Sequence, residues 1–295
     1  MARRPRVCFP NATYHLMARG NRKAAIFQSD ADQRDWLRVL ADTVERYAVG
    51  CRAYCLMANH YHLILHTPEA NVSAAMRHLN GVYTLRYNKR HSTTGHVYEG
   101  RFTSVLIDDT EHLRIAARYV LRNPVKAGLV EKVDSWPWSS YRATARLESA
   151  PRFLDVDWIR WAFGSSPEDA AVAFQAFVNV PPGESGQEDT SAVAIGPPSY
   201  LREVRDRLAA GARALADLPR AHRALGRPEL AALFPASMLT RDATLLRYDA
   251  IGRAHVEHGY RLSEIARFLR LHPSTVGAAL RRRGSGHEKR QSRFS

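Results

Sequence analysis

The chain reads as an α+β protein in which helices pack on an antiparallel sheet, followed by a separate all-α domain. Three observations carry this expectation. Apolar positions switch between strand and helical periodicity in the order βαββαβα, and some successive strands are joined by turns too short for a crossover. Residues 181–198 have the Pro, Gly, Ser and acidic content of a linker. Beyond them the chain is helical and basic. The expected division is a first domain over 1–180, a linker over 181–198 and a helical domain over 199–295.

Taken in order, Arg3, Arg4 and Arg6 form a basic arm, readable as a phosphate-binding extension or as a solvated terminus. Thr13 to Arg19 alternates β-branched and aromatic residues with others, a first strand closed by Gly20-Asn21. Asp30 or Asp32 is placed to cap a helix running to Tyr47, with Trp36, Leu37, Leu40 and Val44 as its core stripe. Gly50 ends that connection. Cys51 to Met57 then pairs with His60 to His66 as a hairpin across Ala58-Asn59. A second helix over 72–88 carries Met76, Leu79, Val82, Tyr83 and Leu85, with Arg77, Arg86, Lys89 and Arg90 around it. Basic residues interleaved with Tyr83 and Tyr87 suit a groove in which bases stack and phosphates pair. A solvated basic face over two packed tyrosines is the competing reading. Arg101 to Ile107 is a further strand, and Asp108 or Asp109 starts the next helix. Helical patterns over 150–180, broken at Gly164, extend the first domain.

Two stretches carry chemistry. In Asn59-His60-Tyr61-His62-Leu63 the histidines lie two apart on a strand, so they share one face and Tyr61 takes the other. Two imidazoles roughly 6 to 7 Å apart could hold one cation if a third ligand arrives from elsewhere. The plainer reading is two histidines on a polar strand face. In the helix after residue 110, Leu113, Ala116, Ala117, Val120 and Leu121 form a core stripe, with Arg114, Arg118 and Arg122 as a basic row on the far side. His112, Tyr119 and Asn123 line up on its flank, and the i,i+4 spacing lets Tyr119 and Asn123 reach one point. Asn123 suits a metal ligand; Asn123-Pro124 equally suits an N-cap and first position of a following short helix ending at Gly128.

The composition is that of a globular protein, with 45% hydrophobic residues, while 43 Lys and Arg against 29 Asp and Glu leave a net charge of +14. Such a charge calls for a polyanionic partner, nucleic acid foremost. No stretch is long and apolar enough for a membrane span and no signal-peptide core is present, so a cytoplasmic, nucleoid-associated protein is expected. Three cysteines argue against a disulfide framework. Cys51 and Cys55 stand near the histidines as zinc candidates, but their place in an alternating strand suits small core residues better.

In the C-terminal domain, Arg261 to Leu280 resembles a helix-turn-helix. Ile265, Leu269, Val276 and Leu280 fuse two helices, Ala266 is small where they cross, and Ser274 caps the second. Arg270 stands where glycine commonly turns the chain, and Gly277 weakens the second helix by about 1 kcal/mol. From Arg261 to Ser295 nine Lys and Arg face two Asp and Glu, half of the whole chain's excess. Ser274, Thr275, Arg281 and Arg282 are the DNA-contact candidates here, although serine and threonine offer few strong base contacts.

Four motifs together resemble a family. Tyr14-His15-Leu16 with Arg19-Gly20-Asn21, the run Ala53 to Leu63, Gly100-Arg101-Phe102, and the run Arg118 to Val130, followed by Trp138-Ser139-Ser140-Tyr141, are similar to the single-tyrosine HUH transposases, IS200-like, and above all to their REP-associated branch. Ala58 departs from the proline that the family often has before Asn-His. The resemblance implies a ferredoxin-like core with the His-x-His strand at its centre and the tyrosine helix beside it. It implies His60, His62 and Asn123 as ligands of Mg²⁺ or Mn²⁺, and Tyr119 as the nucleophile. The product would be a 5′-phosphotyrosine, formed on single-stranded or hairpin DNA of repeated extragenic palindromes. Arg19, Asn21, Arg77, Tyr83 and Arg101, with the N-terminal arm, would contact that DNA; the protein would be a monomer or homodimer. Two other functions fit the same residues: a non-enzymatic DNA-binding transcription regulator, and a metal-dependent hydrolase that uses water and leaves Tyr119 idle.

Overall fold

The computed structural model describes residues 8–108, 111–164, 166–180, 194–210, 224–235, 238, 244–272, 275–277 and 279. Arg3, Arg4, Arg6, Ser274, Arg281 and Arg282 lie outside the described residues, as do residues 181–193 of the expected linker. The chain divides into two compact units, which part between Ile195 and Gly196.

The first unit is built on a five-stranded sheet in the order β2-β3-β1-β4-β5. β1 (Ala12–Arg19) lies between β3 (His60–Thr67) and β4 (Thr103–Ile107), antiparallel to both, and β2 (Gly50–Met57) pairs antiparallel with β3. Those four strands, with α1 (Asp30–Tyr47) between β1 and β2 and α2 (Val72–His91) between β3 and β4, form a split βαβ arrangement. β5 (Ala194–Ile195) adds a parallel pairing with β4, so the sheet is mixed rather than purely antiparallel, and two residues of the expected linker belong to it. The β2–β3 hairpin closes at Met57 opposite His60, across Ala58-Asn59. Both faces of the sheet are covered, which explains why β1, β2 and β3 are buried almost end to end rather than at alternate positions.

Several element ends differ from expectation. The N-cap of α1 is Ser29; Asp32 sits at the third helical position and its carboxylate accepts from the backbone N–H of Gln28 at 2.9 Å and of Ser29 at 3.2 Å. The turn into β2 is made by Ala48 in the left-handed region (φ 50°), before Gly50. β4 starts at Thr103, leaving Arg101 in the preceding loop. Gly20 is fixed by close approach: a Cβ there would lie 2.0 Å from the Ala24 carbonyl oxygen.

On one face α1 and α2 bury Trp36 against Tyr61, with ring centroids 4.7 Å apart. On the other face lies α3 (Glu111–Lys126), backed by α4 (Tyr141–Thr144), α5 (Trp158–Phe163) and α6 (Pro167–Asn179). Ala53, Cys55, Met57 and Ile64 of the sheet pack here with Leu113, Ala116, Ala117, Val120 and Leu121. Trp138 to Ser140 runs along β2, with Leu56 N–H donating to the Trp138 carbonyl at 2.9 Å and Ser140 N–H to that of Tyr54 at 3.0 Å, so this edge is protected.

The second unit holds α7 (Pro198–Ala210), α8 (Leu230–Leu233), α9 (Thr244–Gly252) and α10 (Leu262–Leu269). Its core joins Phe234, Ala250, Ile251, Ala254 and Tyr260 to Ile265, Ala266, Val276 and Ala279. Glu264 accepts from the Arg261 N–H to cap α10, and Arg270 ends it in the left-handed region (φ 55°), the role the sequence lacks a glycine for. Residues 275–277 are again helical. Among the described residues no helix is long and apolar enough to cross a membrane.

Candidate active site

The strand register builds the site. His60 lies opposite Arg19, His62 opposite Met17 and Ile64 opposite His15, so His15, Arg19, His60 and His62 share the face under α3 while Tyr61 points to the α1–α2 side. Tyr119 of α3 meets two of them edge-on, its ring centroid 5.7 Å from that of His62 and 5.8 Å from that of His15. The His60 and His62 rings are 5.1 Å apart, and His15 stacks on His62 at the same separation. The face is not the polar surface of the plainer reading, because His62 is only 2% exposed.

Hydrogen bonds fix the imidazoles. Asn59 donates through Nδ2 to the Lys23 carbonyl at 3.1 Å, which orients its amide oxygen toward His60; that oxygen lies 2.7 Å from His60 Nδ1. An amide oxygen only accepts, so Nδ1 carries the proton and Nε2 keeps a lone pair. His62 Nδ1 is engaged by His15 Nε2 at 2.9 Å. Burial, reinforced by the positive charge of Arg19, pushes His60 down to about 4. His62 is driven well below the usual histidine range by burial first, then by His15, His60, Arg19 and Lys126. Both are therefore neutral at physiological pH, the form that binds a cation.

Pro124 lies inside α3, so Asn123-Pro124 does not cap a new helix. Proline has no N–H for the Val120 carbonyl. Asn123 Nδ2 turns back instead, 2.8 Å from the Tyr119 carbonyl and 3.4 Å from that of Val120. Those contacts engage the amide's donors within the helix and leave Oδ1, an oxygen, as the atom a ligand can use. Two turns beyond Tyr119, the Lys126 ammonium stands 5.4 Å from its ring centroid.

Other candidates separate. Asn21, Arg77, Arg101 and Thr275 are exposed and Arg19 is half-buried beside His60. Tyr83 is a correction: it is fully buried, its hydroxyl donates to the Ile26 carbonyl, and it has no face to offer a base. Tyr87 is 7% exposed, and Arg86 and Arg90 pair with Asp35 and Asp32, so this stretch is the packed alternative. The basic row of α3 is engaged with its neighbours rather than free in water. Arg114 and Arg118 lie over the Phe177 ring at 5.0 and 4.4 Å, and Arg122 donates to the Val178 and Asn179 carbonyls at the end of α6. Cys51 and Cys55 are core residues, fully buried, and burial pushes both thiols up. Sequence reasoning missed His15, Asn59 and Lys126 as parts of the site. The two-turn spacing from Tyr119 could have shown Lys126; His15 depended on a cross-strand register that no local pattern encodes.

Three comparisons bear on this geometry. The family model described as Transposase IS200 like matches residues 8–123, the span that holds His15, His60, His62, Tyr119 and Asn123. A REP-associated tyrosine transposase of Haemophilus influenzae is 30% identical over 127 residues, which covers 39% of this chain and 70% of the relative. A solved structure of a REP-associated tyrosine transposase bound to a REP hairpin aligns with 53% of this chain and 93% of its own, at 20% identity and a TM-score of 0.43. The first match places an IS200-like transposase region over residues 8–123. By its identity to the Haemophilus relative, the chain belongs to the REP-associated tyrosine transposases.

Proposed function

We propose that this chain cleaves and rejoins single-stranded DNA through a covalent bond to Tyr119. One observation carries the choice of residue. Of the tyrosines within residues 8–123, Tyr14, Tyr54, Tyr61, Tyr83, Tyr87 and Tyr98 are buried. Tyr47 is half-buried but packs at a tilt against His78 of α2, on the other face of the sheet. Tyr119 alone is half-buried and set against the histidine pair.

The chemistry follows from the residues around it. Tyr119 Oη attacks the scissile phosphorus; the Oη–P bond forms as the bond to O3′ breaks, leaving a 3′-hydroxyl and a 5′-phosphotyrosine. The phenol's proton leaves as the 3′-alkoxide gains one, so the exchange is balanced and needs no ATP. Arg19 and Lys126 both bring positive charge to the surroundings of His62, which would favour a phosphate there. His60 Nε2, His62 Nε2 and Asn123 Oδ1 would be the ligands of a divalent cation, and by donor type two imidazoles with one amide oxygen suit Mn²⁺ at least as well as Mg²⁺. Bound there, such an ion would supply Lewis-acid polarisation of the phosphate. The relative's name, which refers to REP elements, supports repeated palindromic DNA as substrate. A nicking assay on labelled single-stranded repeats, with and without Mn²⁺, tests the reading. Binding without cleavage across metals and repeats would favour the transcription regulator.

We assign DNA binding through a helix-turn-helix to the second unit, supported by α10, its left-handed turn at Arg270 and the basic end of the chain. Deleting residues 199–295 should spare cleavage, weaken DNA affinity and flatten its dependence on salt, because fewer phosphate contacts release fewer counterions. Equal affinity with an equal salt slope would give this unit another role.

A further inference from the structure

We infer that His15 is a positioning residue that sets the tautomer of His62, so that His62 turns a lone pair rather than an N–H into the active site. The inference rests on the metal-holding role given above to His60 and His62, and it deepens that role. His15 and His62 are each 2% exposed, and their hydrogen bond of 2.9 Å joins β1 to β3 beneath Tyr119. A neutral imidazole carries one proton on two nitrogens, so the direction of that bond decides the state of the other His62 nitrogen. With His15 donating, His62 Nε2 would bear the proton in a field to which Arg19 and Lys126 add positive charge. With His62 Nδ1 donating to His15 Nε2, His62 Nε2 carries a lone pair instead, which that charge favours.

His60 solves the same problem by other means. Asn59 takes its Nδ1 proton and is itself pinned by the Lys23 carbonyl. The two histidines thus have separate orienting partners, one amide from the hairpin turn and one imidazole from the neighbouring strand. Buried partners of this kind typically raise the affinity of a histidine site about 10- to 100-fold. His15 is not itself a third ligand, because the nitrogen it presents is engaged with His62 and, among the described residues, no group of three or more His, Cys, Asp and Glu is arranged to hold an ion.

The test uses the full chain labelled with ¹⁵N at histidine, with His62→Gln to assign the resonance. Two-bond correlations report the protonated nitrogen of His62 without metal, and Mn²⁺ titration by electron paramagnetic resonance reports affinity. His62 should be protonated at Nδ1. His15→Phe should move the proton toward Nε2 and weaken Mn²⁺ binding about 10- to 100-fold. His15→Gln, whose amide oxygen can still accept, should keep the tautomer and most of the affinity, which separates positioning from loss of packing. His62 protonated at Nε2 in the unmutated protein would overturn the inference even if Mn²⁺ binds well. So would His15→Phe with unchanged tautomer and affinity. If Nδ1 is protonated and responds to His15 but no variant binds Mn²⁺, positioning stands and the metal role fails.

Discussion

The two faces of the sheet bury polar groups to opposite ends. Beneath α1 and α2, Asp32 and Asp35 are buried and their carboxylates are taken up by Arg90, Arg86, His91 and the backbone N–H groups of Gln28 and Ser29. Beneath α3, His60 and His62 have one ring nitrogen held and the other left toward Tyr119's side of the sheet. A network whose buried charges are paired in this way rigidifies a fold. A polar group gripped on one side and open on the other is pre-organised to bind. Charge alone would point to the wrong face, because the buried carboxylates of Asp32 and Asp35, with Arg86 and Arg90 paired to them, lie on the side of the sheet away from Tyr119.

If that contrast holds, variants on the two faces should split activity from stability. The largest effect expected is on the α3 face: changing both His60 and His62 to Ala should lower Mn²⁺-dependent cleavage by about 10³-fold or more, about 4 kcal/mol of barrier. Because His62 is buried, this variant should also lose stability, so circular dichroism and the cleavage rate of the folded fraction are measured together. Full activity in the folded fraction would remove the histidines from the chemistry.

Next comes the opposite face. Asp32→Ala leaves Arg90 and His91 without their buried carboxylate and should cost about 3 kcal/mol or more in urea unfolding, with cleavage per folded molecule unchanged. Burial alone would raise the Asp32 carboxyl, but hydrogen bonds from His91, Gln28 N–H and Arg90 hold it below 3.8. Its folded value is thus depressed, so its stabilisation is full above 3.8 and is lost as pH falls through the lower value. The variant should therefore show a weaker loss of stability below pH 3.8 than the parent. Equal pH profiles would contradict the network. The smallest effect is expected from Tyr83→Phe, which removes one buried hydroxyl bonded to Ile26: about 1 kcal/mol of stability and no change in DNA affinity. Loss of DNA affinity without loss of stability would restore the stacking role that burial denies it.

What the sequence shows and hides follows the same contrast. Strand periodicity located β1, the β2–β3 hairpin and the common face of His60 and His62, and helical spacing placed Tyr119 and Asn123 together, because these are local regularities. The basic row Arg114, Arg118 and Arg122 pointed to solvent only while α5 and α6 were not yet docked on it. Tyr83 and Tyr87 misled similarly, since α2 is amphipathic in a way that tyrosine hydroxyls disguise. Asn123-Pro124 fits a cap by residue type, yet the helix continues through it, with the Asn123 amide on the Tyr119 carbonyl and, at longer range, on the Val120 carbonyl that proline leaves without an N–H. His15 needed the cross-strand register, which is a tertiary fact.

The most direct measurement concerns Tyr119. Incubating the protein with a single-stranded palindromic repeat labelled 3′ of the cut, then running denaturing electrophoresis, should show label migrating with the protein. Mass spectrometry should place a 5′-phosphate on the tryptic peptide that holds Tyr119. Tyr119→Phe keeps the ring between His15 and His62 and loses only the hydroxyl, so stability should stay within about 1 kcal/mol while adduct and strand transfer vanish together. Cleavage by Tyr119→Phe at the parent rate, with no protein-bound label in either, would contradict the covalent mechanism and leave water as the nucleophile.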